Sequence, residues 1–396
     1  MPIPGTAMIE NEFDIIIVGG GPAGSTAAIF LKKINPALRV CIIDKETFPR
    51  KKSCGDGLSP GVADIIKEAG LLSFFSDKTP ISIFQLVSKG VIDLKYDLKN
   101  MGTSSPYGYV FPREFFDDKL LKHAAACGVA IFESCDIKSI TEKDTFLTEI
   151  VCQHLSGIIT FNARVIVGAD GAHSRIRKYV KAKPNGDKHM GIALRYYCKI
   201  KTVDEPYLRI DILKNLKKAY GWVFPVSEDT ANIGIGVDMD VHKRKNINLN
   251  NELNKYLAYI KDAFEPELIP GTRSGYPLPY GSELPDLVYG NKILIGDAAS
   301  MINPLTGEGI FYGMQAGKML AEHIAESFES DDLLQKSVLQ FASNFTSQFK
   351  KHYQFNLTIK KTLASPFAGF FLKRIARNTN RLNKAMGIIL GNTSNF

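Results

Sequence analysis

Phe13-Asp14-Ile15-Ile16-Ile17-Val18, running into Gly19-Gly20-Gly21-Pro22-Ala23-Gly24, is the stretch on which the fold turns. A short β-branched run of this kind is expected of a strand buried on both faces of a parallel sheet. Ser25 to Lys33 then reads as a helix, and Arg39 to Ile43 as a second buried strand ending on Asp44, with Lys45 beside it. Strand, glycine turn, helix, strand and acid together make a βαβ unit. Gly19, Gly21 and Gly24 fall where the turn is tight, where backbone must approach a pyrophosphate, and where helix meets strand. The helix N-terminus presents free N–H groups to phosphate. Asp44, twenty residues past Gly24, ends the second strand where a carboxylate can accept hydrogen bonds from ribose hydroxyls. The unit therefore predicts an adenine dinucleotide.

Outward from this unit, a helix is expected from about Glu114 to Cys127, short strands between Val129 and Phe161, and buried strands at Val165 to Val167 and Lys292 to Ile295. Between Lys188 and Val237 the pattern changes to alternating segments, which predict an antiparallel sheet with one covered face. Gly307 to Phe328 reads as a helix returning across the first sheet. Leu333 to Phe396 reads as two or three further helices, broken near Ser365-Pro366. The chain has 396 residues with 45% apolar, 23% charged and 10% aromatic content, which fits a multi-domain globular protein and sets aside disorder and fibrous classes.

The net charge of +8 is unevenly placed. From Leu333 to Phe396 there are ten basic residues and no acidic one, so residues 1–332 carry 39 basic against 41 acidic residues. Six cysteines show neither a CxxC pair nor a zinc spacing with histidine, so no metal site or disulfide is expected. Met1 to Phe13 does not read as a signal peptide, and no stretch approaches 18 uncharged apolar residues. A cytoplasmic protein with reduced thiols is the simplest expectation.

Two further segments narrow the dinucleotide. Val167-Gly168-Ala169-Asp170-Gly171-Ala172-His173-Ser174-Arg175 follows a strand, as does Ile295-Gly296-Asp297-Ala298-Ala299, with Pro304-Leu305-Thr306-Gly307-Glu308-Gly309 opening a helix. In order and spacing, roughly residues 13 to 330 resemble the flavoprotein superfamily of aromatic hydroxylases, flavin-dependent halogenases and geranylgeranyl reductases. The resemblance implies FAD. It assigns the ADP half to the Gly19, Gly21, Gly24 and Asp44 motif, the pyrophosphate region to Asp170 and Gly171, and the ribityl chain and pyrophosphate to Gly296 and Asp297. It also implies that the helix beginning near Gly307 and Gly309 points its N-terminus at the flavin ring, and that Arg113 reaches the cofactor.

Within that superfamily, Lys52-Ser53-Cys54-Gly55-Asp56-Gly57-Leu58-Ser59-Pro60 resembles the flavin-side loop of geranylgeranyl reductases. Tyr220-Gly221-Trp222-Val223-Phe224-Pro225 resembles their Tyr-x-Trp-x-Phe-Pro strand, with Asn232, Gly234 and Gly236 following. Halogenases have a Trp and an Ile where this chain has Tyr220 and Phe224, which argues against chlorination. The implied fold is α/β: a Rossmann-type FAD-binding domain (1–75, 105–180 and 285–330), an inserted, mainly antiparallel substrate sheet (76–104 and 181–284), and a helical basic C-terminal part (331–396).

Saturating an isoprenoid double bond requires a hydride from reduced flavin on one carbon and an acid to protonate the other. Cys54 is the candidate acid or flavin contact, and Asp56 a group that tunes it or acts instead. Tyr220, Trp222 and Phe224 are candidate substrate-binding residues, with core packing the competing role for Trp222. The external electron donor is NAD(P)H or a ferredoxin-like protein, because the chain has one dinucleotide fingerprint. Two other functions use the same fold: a monooxygenase, and a non-catalytic prenyl-binding escort resembling the GDP-dissociation inhibitors.

The basic tail, taken as a helix from about Phe367 to Leu390, places Phe371, Ile375, Leu382, Met386 and Ile389 on one face and Lys373, Arg377, Arg381 and Lys384 on the other. Such a helix either docks its apolar side on its own protein or lies on an anionic membrane surface. No nucleic-acid-binding module accompanies the charge. The partners expected are a lipophilic small molecule and a peripheral membrane contact.

Overall fold

The computed structural model describes residues 11–90, 92–101, 104–202, 205–213, 216, 219–365 and 379–389. Its first sheet is built on strand Glu12–Val18, which lies parallel to both Val40–Ile43 and Gly157–Gly168. Ala130–Phe132 and Lys292–Leu294 extend the parallel pairing on either side. Ile15, Ile16 and Ile17 are fully buried, as burial on both faces requires. Helix Pro22–Ile34 follows the glycine turn and helix Arg113–Ala126 packs on it. Sequence reading separates Phe161 from Val165 to Val167. The structure joins them in one twelve-residue strand, Gly157–Gly168, whose first half pairs antiparallel with Leu147–His154.

The second sheet takes strands from two places in the chain. Its path runs Glu267–Leu268, Met190–Lys199, Thr230–Asp238, Ala219–Ser227, Tyr207–Ile212, Ile83–Ser88 and Ile92–Asp97, with Ser274–Pro279 also on Met190–Lys199. Every pairing is antiparallel except that of Tyr207–Ile212 with Ile83–Ser88. On Ala219–Ser227 the faces alternate, as the two-residue period of a strand demands. Val223 enters an outer core with Ile233, Ile235 and Tyr256, while Tyr220, Trp222 and Phe224 face the first domain.

Two helices lock the sheets together. Ile310–Ile324 crosses the first sheet beside Pro22–Ile34. Asp331–Leu363 then runs for 33 residues, about 50 Å at the usual helical rise. Phe341, Phe345, Phe349 and Tyr353 recur at four-residue intervals along it, each fully buried, and the last two pack on Tyr312. At its far end Lys360 forms a buried ion pair with Asp238 of the second sheet.

The last described helix, Thr379–Ile389, puts Leu382 and Met386 against Ile81, Phe84, Tyr96 and Leu98. For these two residues the apolar face docks on the protein itself. Phe371, Lys373, Ile375 and Arg377, and the side chains of Arg381, Lys384 and Ile389, lie outside the described residues. Among the described residues, no helix is long and apolar enough to cross a membrane.

Candidate active site

A cavity of about 520 Å³ opens between the two sheets. Gly19, Gly21, Asp44, Lys45, Cys54, Asp56, Arg113, Asp170, Gly171, Tyr220, Trp222, Phe224, Gly296, Asp297, Gly307 and Gly309 all line it. Residues scattered over almost three hundred positions of sequence thus meet at one wall or another of a single space. Gly24 is the exception, and its reason is packing. A Cβ there would stand 2.0 Å from the Gly19 carbonyl oxygen and 3.0 Å from Ile17 Cγ2, so any other residue would lift the helix off the strand.

The charged end of the cavity is built at the glycine turn. Gly19 has φ +108°, and a Cβ on it would meet the Ala169 carbonyl at 2.4 Å. Asp44 Oδ2 accepts from the Gly20 N–H at 2.8 Å, so this acid also holds the turn in shape. Helix Pro22–Ile34 begins on Gly21 with no side-chain cap, leaving its first N–H groups for a ligand. Ile310–Ile324 likewise begins on Gly309 without a side-chain cap. Arg113, buried, donates from Nε to Asp117 Oδ1 at 2.6 Å and from Nη2 to Oδ2 at 2.7 Å. Arg50 reaches the same carboxylate at 3.3 Å.

Lys52 completes a cationic group and lies 3.2 Å from the ring centre of Tyr276. Burial, and then the nearby Arg113 and Arg50, hold its ammonium down at about 8 against the partial support of Asp297. Arg50, Lys52 and Arg113 gather beside the glycine turn, close to Asp117 and Asp297. Three cations beside two uncapped helix ends fit the pyrophosphate of a dinucleotide. Arg50 and Lys52 escape motif reading, although the basic run Arg50-Lys51-Lys52 just before the Cys54 loop is their visible signal.

Asp170 and Asp297 lie on opposite sides of the turn. Asp170 Oδ2 accepts from the N–H groups of Arg175 and Ile176 at 2.6 and 3.3 Å, capping the short helix Arg175–Tyr179, while its buried Oδ1 has no partner. Burial pushes its carboxyl up. Asp297 Oδ1 lies 3.2 Å from where a Cβ of Gly309 would be, against the start of the second uncapped helix.

The loop from Cys54 to Leu58 joins the domains. Asp56 is fully buried at φ 65°, the left-handed region that few non-glycine residues adopt. Its Oδ2 accepts from Tyr197 Oη at 2.6 Å and Asn232 Nδ2 at 2.7 Å, and its Oδ1 from the Arg113 N–H at 3.2 Å. Asn232 also donates to the Cys54 carbonyl at 2.8 Å and accepts from Trp222 Nε1 at 3.0 Å. Burial raises the Asp56 carboxyl, and its three donors pull the other way. Asp56 is thus the joint between the loop, the Arg113 helix and the second sheet, a function the loop sequence does not display. Asn232, read in the sequence only as part of the strand motif, and Tyr197, not singled out there, belong to that joint; they lie 176 and 141 residues from Asp56. The Cys54 thiol is pushed up by burial against the pull of Arg113, which keeps it protonated near neutral pH.

The other end of the cavity is apolar. Phe84, Leu98, Leu208, Ile210 and Phe224 line it, all from the second sheet and its adjoining turn. Trp222 combines core and wall: it is 5% exposed, tied to Asn232, and still faces the cavity. Tyr220 closes the space beside Gly307, where φ is +75° and a Cβ would stand 2.2 Å from Tyr220 Oη, so glycine fits there best.

Comparison with known proteins agrees with this arrangement. A menaquinone reductase of Mycobacterium tuberculosis is 29% identical over 320 residues, covering 79% of this chain and 77% of its own. A digeranylgeranylglycerophospholipid reductase of Thermoplasma volcanium is 26% identical over 364 residues, covering 89% and 88%. The crystal structure of a geranylgeranyl bacteriochlorophyll reductase-like protein from Thermoplasma acidophilum superposes with a TM-score of 0.82, covering 95% of this chain and 96% of that one at 23% identity. The family model for an FAD binding domain matches residues 12–337, and the chain belongs to that family.

Proposed function

We propose that this protein is an FAD-dependent oxidoreductase that saturates carbon–carbon double bonds in the prenyl chain of a lipophilic substrate. The observation that carries this reading is the polarity of this cavity: a cationic, glycine-lined end at the βαβ turn and an apolar end on the second sheet. The glycine turn, Asp44, Arg50, Lys52, Arg113 and the two uncapped helix ends would hold the FAD. When bound, it supplies hydride chemistry. The chain's own residues shape the rest. Trp222 and Phe224 form an apolar wall fit for an alkene chain, and the Asp56–Asn232–Tyr197 joint fixes that wall against the Cys54 loop. The similarity to proteins named for menaquinone and for digeranylgeranylglycerophospholipid reduction supports a polyprenyl substrate.

Incubating the reduced holoenzyme with menaquinone, and separately with digeranylgeranylglycerophospholipid, tests this by mass spectrometry. Products heavier by one hydrogen molecule per saturated bond are expected. A product heavier by an oxygen atom would identify a monooxygenase, and unchanged lipid with no flavin reoxidation would overturn enzymatic reduction. NAD(P)H and a ferredoxin-like protein are the donors to compare by anaerobic flavin bleaching. The acid-free basic segment after Leu333 supports holding this lipophilic substrate near an anionic membrane. Sedimentation of the full chain with phosphatidylserine vesicles, against a chain lacking residues 367–396, reads that contact; equal binding would assign the tail to packing alone.

A further inference from the structure

Two neighbouring polar side chains on the cavity wall, Glu308 of the Pro304-to-Gly309 segment and Ser59 at the end of the Cys54 loop, have no role in the site as described so far. Glu308 stands between Gly307 and Gly309, one residue before helix Ile310–Ile324, and lines the cavity. Its Oε1 is buried and makes no hydrogen bond. Ser59 precedes Pro60 at the start of helix Pro60–Glu68, lines the same cavity, and its Oγ is also buried without a hydrogen-bond partner. Buried polar atoms without partners are uncommon, because each gives up its hydration with nothing in return. Ser59 stands close enough to draw the Glu308 carboxyl down, and no other group among the described residues holds Ser59 Oγ or Glu308 Oε1, so the pair is left to engage a ligand in the cavity.

Resting on the reductase reading above, we propose that Glu308 is the group that protonates the substrate double bond, with Ser59 orienting its carboxyl. The substrate π bond would break as one carbon takes a hydride, the two-electron chemistry that reduced FAD would supply when bound, and the other carbon takes the proton of the Glu308 carboxyl. Glu308 would be left as a carboxylate that solvent reprotonates.

The other acids in the cavity suit this task less well. Asp56 has all three of its hydrogen bonds committed to the joint between domains. Cys54 is made a weaker acid by its burial. Burial holds Glu308 up at about 7, with Ser59 drawing it down, so that near neutral pH the carboxyl is both available as an acid and easily restored. The groups facing it are Ser59, and Tyr312 and Tyr353, which feel its charge from beneath. Across the cavity wall are Tyr220 beside Gly307, Asp297 beside Gly309, and Cys54.

The test uses Glu308→Gln and Glu308→Asp in the full-length holoenzyme, with menaquinone as the probe. Anaerobic single-turnover reoxidation of the reduced flavin should fall at least about 100-fold in Glu308→Gln, the lower range for loss of a general acid, and recover partly in Glu308→Asp. In the unmodified protein this rate should fall as pH rises through about 7, and that limb should vanish in Glu308→Gln. A readout independent of turnover is the infrared carbonyl band of a protonated carboxyl that titrates near neutral pH and is lost in Glu308→Gln. A Glu308→Gln protein that keeps the rate and the pH limb overturns the proposal. So does one that loses FAD, which would make Glu308 a cofactor ligand. If the unmodified protein leaves menaquinone and digeranylgeranylglycerophospholipid unreduced, it is the reductase reading that fails, while the titrating carboxyl band remains measurable.

Discussion

The two sheets differ in what each asks of its residues. Strand Glu12–Val18 and its parallel neighbours are covered on both faces, so side-chain identity there matters mainly through volume, and the glycine turn does the selecting. Strand Ala219–Ser227 has one face in an outer core and the other on the cavity, so alternate residues carry separate duties. Backbone approach fixes the first region, and side-chain facing fixes the second. Variants should therefore fail differently in the two places.

The sharpest way to break the first region is Gly24→Ala. The added carbon has no room against the Gly19 carbonyl, and the expected loss is about 4 kcal/mol, enough to abolish FAD retention. Denaturant unfolding together with the flavin absorbance of the purified protein reads both effects. A stable yellow protein would show that the helix can shift without cost. Next in size is Asp117→Asn. Removing the buried carboxylate leaves Arg113 and Arg50 facing each other with less compensation, at an expected cost of about 3 kcal/mol. FAD titration of the variant should show weaker binding, because the cationic end loses its alignment. The smallest effect belongs to the second sheet. Trp222→Phe should cost about 1 kcal/mol through the unsatisfied Asn232 Oδ1, retain FAD, and raise KM for a prenyl substrate more than it lowers kcat. Loss of FAD in this variant would show that the two regions are not separable.

Glu308 bears on the same contrast through pH. Burial raises its folded-state carboxyl to about 7 from the ordinary 4.5 of a glutamate, so between these values the folded chain holds a proton that the unfolded chain has released. Stability should then fall as pH rises from about 4.5 to 7, and Glu308→Gln should flatten that slope in denaturant midpoints measured across the range.

Much of the first region was legible because its constraints are local. Gly19, Gly21 and Asp44 act through backbone within one βαβ unit, and spacing along the chain is also spacing in space. Arg113 was legible through resemblance, whereas its partner Asp117 and the neighbouring Arg50 and Lys52 acquire meaning only as a group. In the second region the alternation of Tyr220, Trp222 and Phe224 predicted a half-covered strand, yet it could not say which half met the cavity. That choice depends on the opposing loop: a Cβ on Gly55 or Gly57 would meet the Phe224 ring at 3.2 or 2.9 Å, and Asn232 ties Trp222 to Cys54 and Asp56.

By itself the sequence determined the α/β class, the dinucleotide turn, the division into two sheets and the concentration of positive charge after Leu333, because each follows from periodicity, local backbone geometry or counting. Tertiary structure alone decided that Asp56 is a joint, that Leu382 and Met386 dock on the protein, and that Glu308 and Ser59 stand unpartnered on one cavity wall. The physical reason is that hydrogen-bond satisfaction and burial are set by neighbours distant in sequence. A glutamate between two glycines shows its neighbours only once the fold brings the start of helix Pro60–Glu68 beside it on the cavity wall.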